Sequence, residues 1–237
     1  MNASIDNILK ETNVWMNPYF QSLRDDTFDF DDFVETQIQF YFAVVFFNRP
    51  MAALAAKIPT SELRLEVIRN VWEEHGEGNT SLMHEKTFLA FLDRLAGIKP
   101  EDIAKRAMWP EVRAFNTVLV GACVMDEYLI GAGVMGIIER MFSDIAGWLG
   151  EQVVSHNWIP VERLIHYNLH EDLDIKHADD FFDVLRPAWE ADVENRYYIE
   201  QGLHLGACVF NSLYEGIYKA RKRRIYRDVL GPHTRAS

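Results

Sequence analysis

The sequence predicts an all-α protein, a bundle of about seven helices. Apolar residues recur at helical spacing along almost the whole chain, and period-two alternation of strand length does not occur. Hydrophobic residues make up 49% of the 237 residues, which is enough for a sizeable core. Neither an internal repeat nor a Gly/Ser-rich linker divides the sequence. We therefore expect residues 1–237 to form one helical domain.

Capping residues and prolines predict the helix boundaries. Thr60 or Ser61 can accept a hydrogen bond from the first turn of a helix. Proline fits the first helical position, which needs no N–H, and it marks the start of three further helices. The predicted helices are, in order, Ile5–Leu23, Asp31–Lys57, Thr60–Leu95, Pro100–Ala107, Pro110–Leu149, one that starts at Pro160, and one that follows Pro187 and ends near Val229.

Charge and composition argue against several classes of partner. The formal net charge of -12 disfavours a surface for nucleic acid or anionic membranes, because phosphate binding needs a basic footprint. The N-terminal sequence has no signal-peptide pattern, and no uncharged apolar run reaches spanning length. Two cysteines, Cys123 and Cys208, are too few for a disulfide framework. We expect a cytoplasmic protein, a homodimer, that binds neither nucleic acid nor membrane.

The segment "HYNLHEDLDIKH", residues 166–177, carries a sorted set of imidazoles and carboxylates. On a helix that turns about 100° per residue, His170, Asp174 and His177 fall within about 60° of one another. His166 shares this stripe, and we interpret it as a hydrogen-bond partner of a ligand. The stripe is a candidate for metal binding.

Two other predicted helices carry matching side chains. Glu77 and His84 are seven residues apart and lie within about 20° on one helix. Glu139 lies in the apolar run "GVMGIIERMF", where an ionised carboxylate is costly unless it is paired or metal-bound. Glu73 is a rival for the role of Glu77. We interpret the remaining nearby polar residues as surface or neighbouring groups: Glu74, His75, Glu85 and Glu171.

These residues give three imidazoles and three carboxylates on three helices, a set that suits two iron or manganese ions with positions open for oxygen. Each feature also has a simpler explanation. A single histidine is more often structural than a ligand, and Glu139 could pair with a buried arginine. Spacing alone leaves these alternatives open.

These residues occur in a fixed order: a Glu, a His seven residues later, an isolated Glu and then H-x3-D-x2-H. This ordered set resembles the heme-oxygenase-like di-iron oxidases, and the resemblance covers essentially the whole chain. The resemblance implies a seven-helix heme-oxygenase-like fold, two iron ions per chain and O2 as co-substrate. It implies a small organic substrate such as an amino acid, a fatty acid or an aromatic acid, and a possible electron donor. Glu77 and Glu139 would be catalytic. The implied metal ligands are Glu77, His84, Glu139, His170, Asp174 and His177.

The fold implied by this resemblance is shared with thiaminase-like and pyrroloquinoline-quinone-synthase-like proteins, which need no metal. A metal-free enzyme that uses Glu77 and Glu139 for acid–base chemistry is therefore an alternative, and a non-catalytic helical interaction module is another. Cys123 lies sixteen residues before Glu139, a poor match to the nucleophile of thiaminase-like enzymes. Leu149 stands where the 4-aminobenzoate-forming branch has lysine. We expect both cysteines to be small core residues.

Three further patterns have mainly structural interpretations. Gly131, Gly133 and Gly136 lie mid-helix and predict close helix packing. The basic run "YKARKRRIYR" fits the C-terminal end of a helix dipole, although it could also meet an acidic partner. Arg49 could hold a substrate carboxylate. An aromatic and methionine series is expected to be mostly core and in part the wall of a substrate cavity: Phe40, Tyr41, Phe42, Phe46, Phe47, Trp72, Met83, Phe88 and Met135.

Overall fold

The computed structural model describes residues 1–164 and 166–227; for residues 166–175 it describes the backbone only. Within these residues the chain is helical, and its one β-type pairing is an isolated bridge between Arg106 and Tyr226. The all-α prediction is confirmed. The helices are α1 (Asn2–Thr12), α2 (Pro18–Arg24), α3 (Phe30–Lys57), α4 (Ser61–Glu74), α5 (His84–Ala96), α6 (Pro100–Ala104), α7 (Pro110–Val120), α8 (Tyr128–Ser155), α9 (His166–Ala191) and α10 (Val193–Ala220).

The number of helices exceeds the predicted seven because three predicted long helices are interrupted. Asn13 adopts φ 41°, a left-handed conformation that ends α1, and the Asn17 side chain then caps α2 by accepting from Tyr19 N–H. A π-helical turn at Gly121–Met125 and an extended Asp126 separate α7 from α8. The prediction for α3 was nearly correct, because this helix runs from Phe30 to Lys57.

The break that matters most for the site follows Glu74. Gly76, Glu77 and Gly78 have φ values of 64°, 52° and 86°, and three successive left-handed residues cannot continue a right-handed helix. A Cβ at Gly76 would lie 2.8 Å from the backbone of Leu82 and Met83, so only glycine fits where the chain folds back. The single helix predicted from Thr60 to Leu95 is therefore wrong, and α5 begins at His84.

The predicted boundaries of the last two helices were also wrong. Pro160 precedes a short 3-10 turn rather than opening α9, and Pro187 lies inside α9. Asp192 is extended and ends the preceding helix, and its side chain accepts from Asn195 N–H to cap α10. Helix α10 ends at Ala220, within the described residues, whereas the predicted end near Val229 lies outside them.

Helix α8 forms the centre of the bundle because glycines allow two helices to approach it closely. A Cβ at Gly202 of α10 would lie 2.4 Å from the carbonyl oxygen of Ile130 on α8. A Cβ at Gly136, on another side of α8, would lie 2.9 Å from atoms of Phe181 and Phe182 on α9. The predicted close packing of the α8 glycines is confirmed. Residues in the middle of α8, including Glu139, consequently face α9 at short range.

Helix α3 is long and apolar enough to cross a membrane by length and composition alone. Half of its most apolar window is buried in the bundle, where α3 packs against α4, α5 and α7. A core helix passes the same test, so this feature is weak evidence for a membrane span.

The basic run near the C-terminus pairs with acids of the same chain. Arg224 lies 3.0 Å from Asp32 of α3, and Arg223 lies 2.8 Å from Glu111 of α7. These ion pairs hold the end of α10 against two other helices. At Arg223 and Arg224, therefore, the basic run pairs with acidic residues of its own chain.

Candidate metal centre

Three buried side chains from three helices converge in the middle of the bundle. Glu74 at the end of α4, Glu139 in α8 and His177 in α9 each offer one ligand atom, and these atoms lie within 4.8 Å of one another. Glu139 is 3% exposed and His177 is fully buried. Helix α8 positions Glu139 because its neighbours Ile137 and Ile138 are packed in the core.

The hydrogen bond of His177 fixes which ring nitrogen faces this cluster. Its Nε2 lies 2.8 Å from Glu73 Oε2, and since a carboxylate can only accept, Nε2 carries the proton. The Nδ1 of a neutral ring is then a bare acceptor. This atom is buried, has no hydrogen-bond partner among the described residues, and lies 3.9 Å from Glu139 Oε1.

The second imidazole, His84, is oriented by the same logic. Its Nδ1 lies 2.8 Å from Glu74 Oε1, so Nδ1 donates to this carboxylate and Nε2 is the atom that can bind a ligand or a metal. Both side chains are buried. The turn after α4 brings them together, since α5 starts at His84 immediately after the chain has reversed.

The structure therefore brings Glu139 and His177 together, with His84 in contact with Glu74 of the same cluster, but it does not bring Glu77 to them. Glu77 is exposed on the left-handed turn, and the stripe that it was predicted to share with His84 does not exist. The second carboxylate in the cluster, beside Glu139, is Glu74; it is a buried neighbour of the site and not a surface group. The flanking Gly76 and Gly78 were the sequence signal for this helix end.

The remaining predicted ligands lie where only the backbone is described. Residues 170 and 174 belong to α9, and their side chains lie outside the described residues, as does that of His166. The α-helical backbone of residues 166–191 keeps His170 and Asp174 in helical register with His177. Their roles as ligands stay predictions.

Glu73 contacts two successive residues of α9. Besides the bond to His177, its Oε1 accepts a 2.6 Å hydrogen bond from Lys176 Nζ. Burial raises the pKa of the Glu73 carboxyl, but the hydrogen bonds from Lys176 and His177 outweigh this effect and hold its pKa below the usual value. Glu73, the rival to Glu77 in the sequence, thus hydrogen-bonds the candidate ligand His177.

The donor set at the cluster fits a metal ion. A bare imidazole nitrogen and two carboxylates are all acceptors, and in a buried place they repel one another unless a cation or a proton lies between them. Nitrogen and carboxylate oxygen ligands suit iron and manganese, and histidines whose other nitrogen is held by a carboxylate are typical of metal sites. Glu74, Glu139 and His177 are therefore candidate metal ligands, with His84 beside them.

An apolar cavity with a volume of about 50 Å3 adjoins the cluster. Three of its lining residues, Glu74, His84 and Glu139, belong to the polar centre, and the others are apolar. The apolar wall consists of Phe40, Ala43, Val44, Phe47, Phe115, Ile138, Phe142 and Phe210. A small apolar molecule in this cavity would lie next to the carboxylates.

The prediction that the aromatic and methionine series is mostly core is confirmed for Phe42, Phe88 and Met135, which are buried. Phe40 and Phe47 line the cavity, whereas Trp72 is 54% exposed.

Three other candidate residues lie outside the cavity wall. Arg49 is exposed, and its guanidinium lies 5.7 Å from the centre of the Phe46 ring. Burial raises the pKa of the Cys123 thiol to about 12, so this cysteine is a core residue and a poor nucleophile. The prediction that Cys208 is also core is wrong, because it is exposed on α10.

The fold defines an all-α class, and solved structures identify it as heme oxygenase-like. A domain of unknown function with a heme oxygenase-like fold from Shewanella denitrificans OS217 aligns with a TM-score of 0.72 at 14% identity, covering 92% of this chain and 89% of that chain. A CADD-like protein of unknown function from Nostoc punctiforme PCC 73102 gives 0.73 at 13% identity, with 92% and 98% covered. A TenA homologue from P. horikoshii OT3 gives 0.64 at 13% identity, with 92% and 95% covered. Identities this low establish the fold alone.

The family itself follows from the sequence profile that matches this chain. The profile described as "Iron-containing redox enzyme" matches residues 34–207, most of the chain, and this protein belongs to that family. None of the curated proteins matches it. The matched range includes every residue of the cluster, from Glu74 to His177.

Proposed function

We propose that this protein is an O2-activating, non-heme di-iron oxidase or oxygenase that acts on a small organic substrate. The observation that carries the proposal is the bare Nδ1 of His177, buried and facing carboxylate oxygens of Glu139 and Glu74. Membership of an iron-containing redox family agrees with it.

Two iron ions per chain would be held by residues of α4, α5, α8 and α9. Glu74, Glu139 and His177 supply the ligand atoms that already converge, and His84 supplies a further nitrogen. His170 and Asp174, in register with His177, complete the proposed set. The irons, when bound, would supply O2 binding and reduction.

The chain's own residues prepare this chemistry. Glu73 and Glu74 accept hydrogen bonds from His177 and His84, and at His177 this leaves the buried Nδ1 for a metal ion. The phenylalanine-rich cavity would bind the apolar part of a substrate beside Glu74 and Glu139. Electrons come from a donor or from the substrate. We propose a cytoplasmic homodimer.

Anaerobic titration with ferrous iron tests this function. Protein purified without chelators should bind close to two irons per chain, because six ligands exceed what one iron needs with positions left open. The ferrous protein should then consume O2, faster with a substrate drawn from a panel of amino, fatty and aromatic acids. Saturation at one iron would reduce the claim to a mononuclear centre, and absence of binding would refute it.

A metal-free acid–base enzyme is the second candidate, because the buried His177 Nδ1 and Glu139 Oε1, which lie 3.9 Å apart, are two groups that can each take up or release a proton beside the cavity. The structural likeness to a TenA homologue agrees with this candidate at the level of the fold. An activity that survives complete removal of metal by a chelator would favour it over the iron enzyme.

A further inference from the structure

We propose that Glu73 is a positioning residue of the metal centre: it holds the proton of His177 on Nε2 and thereby presents a bare Nδ1 to the metal. The inference deepens the proposed function and rests on it for the identity of the bound group. It concerns a residue that is not itself a ligand, since both of its oxygens are hydrogen-bonded elsewhere.

The geometry at Glu73 commits each oxygen to one partner. Oε2 lies 2.8 Å from His177 Nε2, and Oε1 lies 2.6 Å from Lys176 Nζ. The Glu73 side chain is 11% exposed, whereas that of Lys176 is 47% exposed. Lys176 therefore holds the outer oxygen from the solvent side, and the inner oxygen is left for the buried imidazole.

The backbone at His177 is tied to the same helix. Asn70 lies three residues before Glu73 on α4, is fully buried, and donates through Nδ2 to the carbonyl oxygen of His177 at 3.3 Å. The ring and the backbone of His177 are thus both fixed by one face of α4. Two anchors of this kind leave the imidazole little freedom to rotate or to move away from Glu139.

The proton on His177 decides whether the site accepts a cation. A neutral imidazole carries one proton, and placing it on Nδ1 would point an N–H group into the space that a metal must occupy. The Glu73 carboxylate accepts a hydrogen bond at Nε2, so it holds the proton there and disfavours the tautomer with the proton on Nδ1. Outer-sphere partners of metal-bound histidines typically contribute about 10–100-fold to metal affinity, which sets the expected size of the effect.

An exposed ion pair would have no such consequence. The Lys176–Glu73 contact alone, with Lys176 half in solvent, would contribute little to stability and nothing specific to the metal centre. The two interpretations differ in what the loss of the Glu73 carboxylate does to the His177 ring, and they can be separated in protein without metal.

Nitrogen-15 NMR of the histidine rings in metal-free protein provides the first test, with the His177 signal assigned by its loss in His177→Asn. At a pH where the ring is neutral, we expect wild-type His177 to be the Nε2–H tautomer. In Glu73→Leu the ring should become a mixture of tautomers, whereas Glu73→Gln, whose amide oxygen still accepts, should retain more of the Nε2–H form. Unchanged tautomers in Glu73→Leu would overturn the inference.

Metal affinity provides the second test, with Co2+ under anaerobic conditions as the probe. We expect Glu73→Leu to weaken binding by about 10–100-fold and Glu73→Gln to weaken it less. Glu66→Gln is the matched control, because Glu66 lies on the same helix and pairs with Arg69 rather than with His177. Its affinity should equal that of the wild type, and circular dichroism should show all variants folded.

The two tests separate failure of the inference from failure of the proposed function. Wild-type protein that binds no Co2+ would refute the proposed metal centre, while the tautomer measurement would still decide the role of Glu73. Tight Co2+ binding by both wild type and Glu73→Leu would keep the metal centre and overturn the positioning role. Should Glu73→Leu fail to fold, Glu73→Gln, which is nearly isosteric, carries both measurements, and a tautomer ratio and a Co2+ affinity equal to those of the wild type would overturn the inference.

Discussion

Replacing Gly202 by alanine should destabilise the bundle at the contact between α8 and α10. The added Cβ would lie 2.4 Å from the carbonyl oxygen of Ile130 and 2.9 Å from its Cα, and both are backbone atoms that cannot rotate away. Ordinary contact begins near 3.4 Å, so the two helices must separate locally by about 1 Å.

The size of the effect follows from two opposing contributions. Overpacking of this kind costs about 1–3 kcal/mol, and a backbone clash belongs at the upper end. Alanine in place of glycine inside a helix returns up to about 1 kcal/mol. The net loss is about 2 kcal/mol, which for a chain of this size lowers Tm by about 4–8 °C.

Urea denaturation and differential scanning calorimetry measure this loss, and Gly121→Ala is the matched control. Gly121 has helical dihedral angles, and an added Cβ there would meet nothing within 4 Å. The control should be neutral or slightly stabilising. If Gly202→Ala is as stable as Gly121→Ala, the close approach of α8 and α10 is not a feature of the folded protein.

Three further predictions concern the metal centre. Glu74→Ala should lower the iron stoichiometry in anaerobic titration while Glu77→Ala should not, because Glu74 is buried in the cluster and Glu77 is exposed; the reverse result would support the register implied by the resemblance. Glu139→Ala should abolish O2 consumption by the ferrous protein, whereas Glu171→Ala should leave it intact; equal losses would contradict the assignment. Hydrogen exchange of peptides from residues 164–178 should slow when ferrous iron is added, since metal binding is coupled to local order; strong protection before iron, unchanged afterwards, would refute this.

Helical periodicity was sufficient to predict the fold class, because burial of one face imposes the same spacing on each long helix. It could not locate the interruptions, which depend on single dihedral angles. Asn13 and Glu77 have positive φ, a conformation that non-glycine residues adopt only when the surrounding structure supports it. Apolar spacing continues across such residues and hides them.

The candidate site was predictable in part for the same reason. Glu139 was identifiable because a carboxylate in an apolar run needs a partner, and His177 because it shares a helical stripe with His170. The choice among Glu73, Glu74 and Glu77 was not, since it depends on where α4 ends and which way the chain then turns. Three acids within five residues cannot be ranked by spacing alone.

The glycine contacts of α8 have a consequence for how such a protein can diversify. Side chains where α8 meets α9 and α10 have almost no room to grow, so this part of the cavity's frame tolerates little sequence drift. Ala43, Val44 and Phe47 of α3 form another wall of the same cavity, and the last two are only half-buried. Substitutions along α3 can therefore reshape the space available to a substrate without disturbing the carboxylates opposite. Under the proposed function, a change of substrate specificity would come from substitutions in α3, while the carboxylates of Glu74 and Glu139 stay in place.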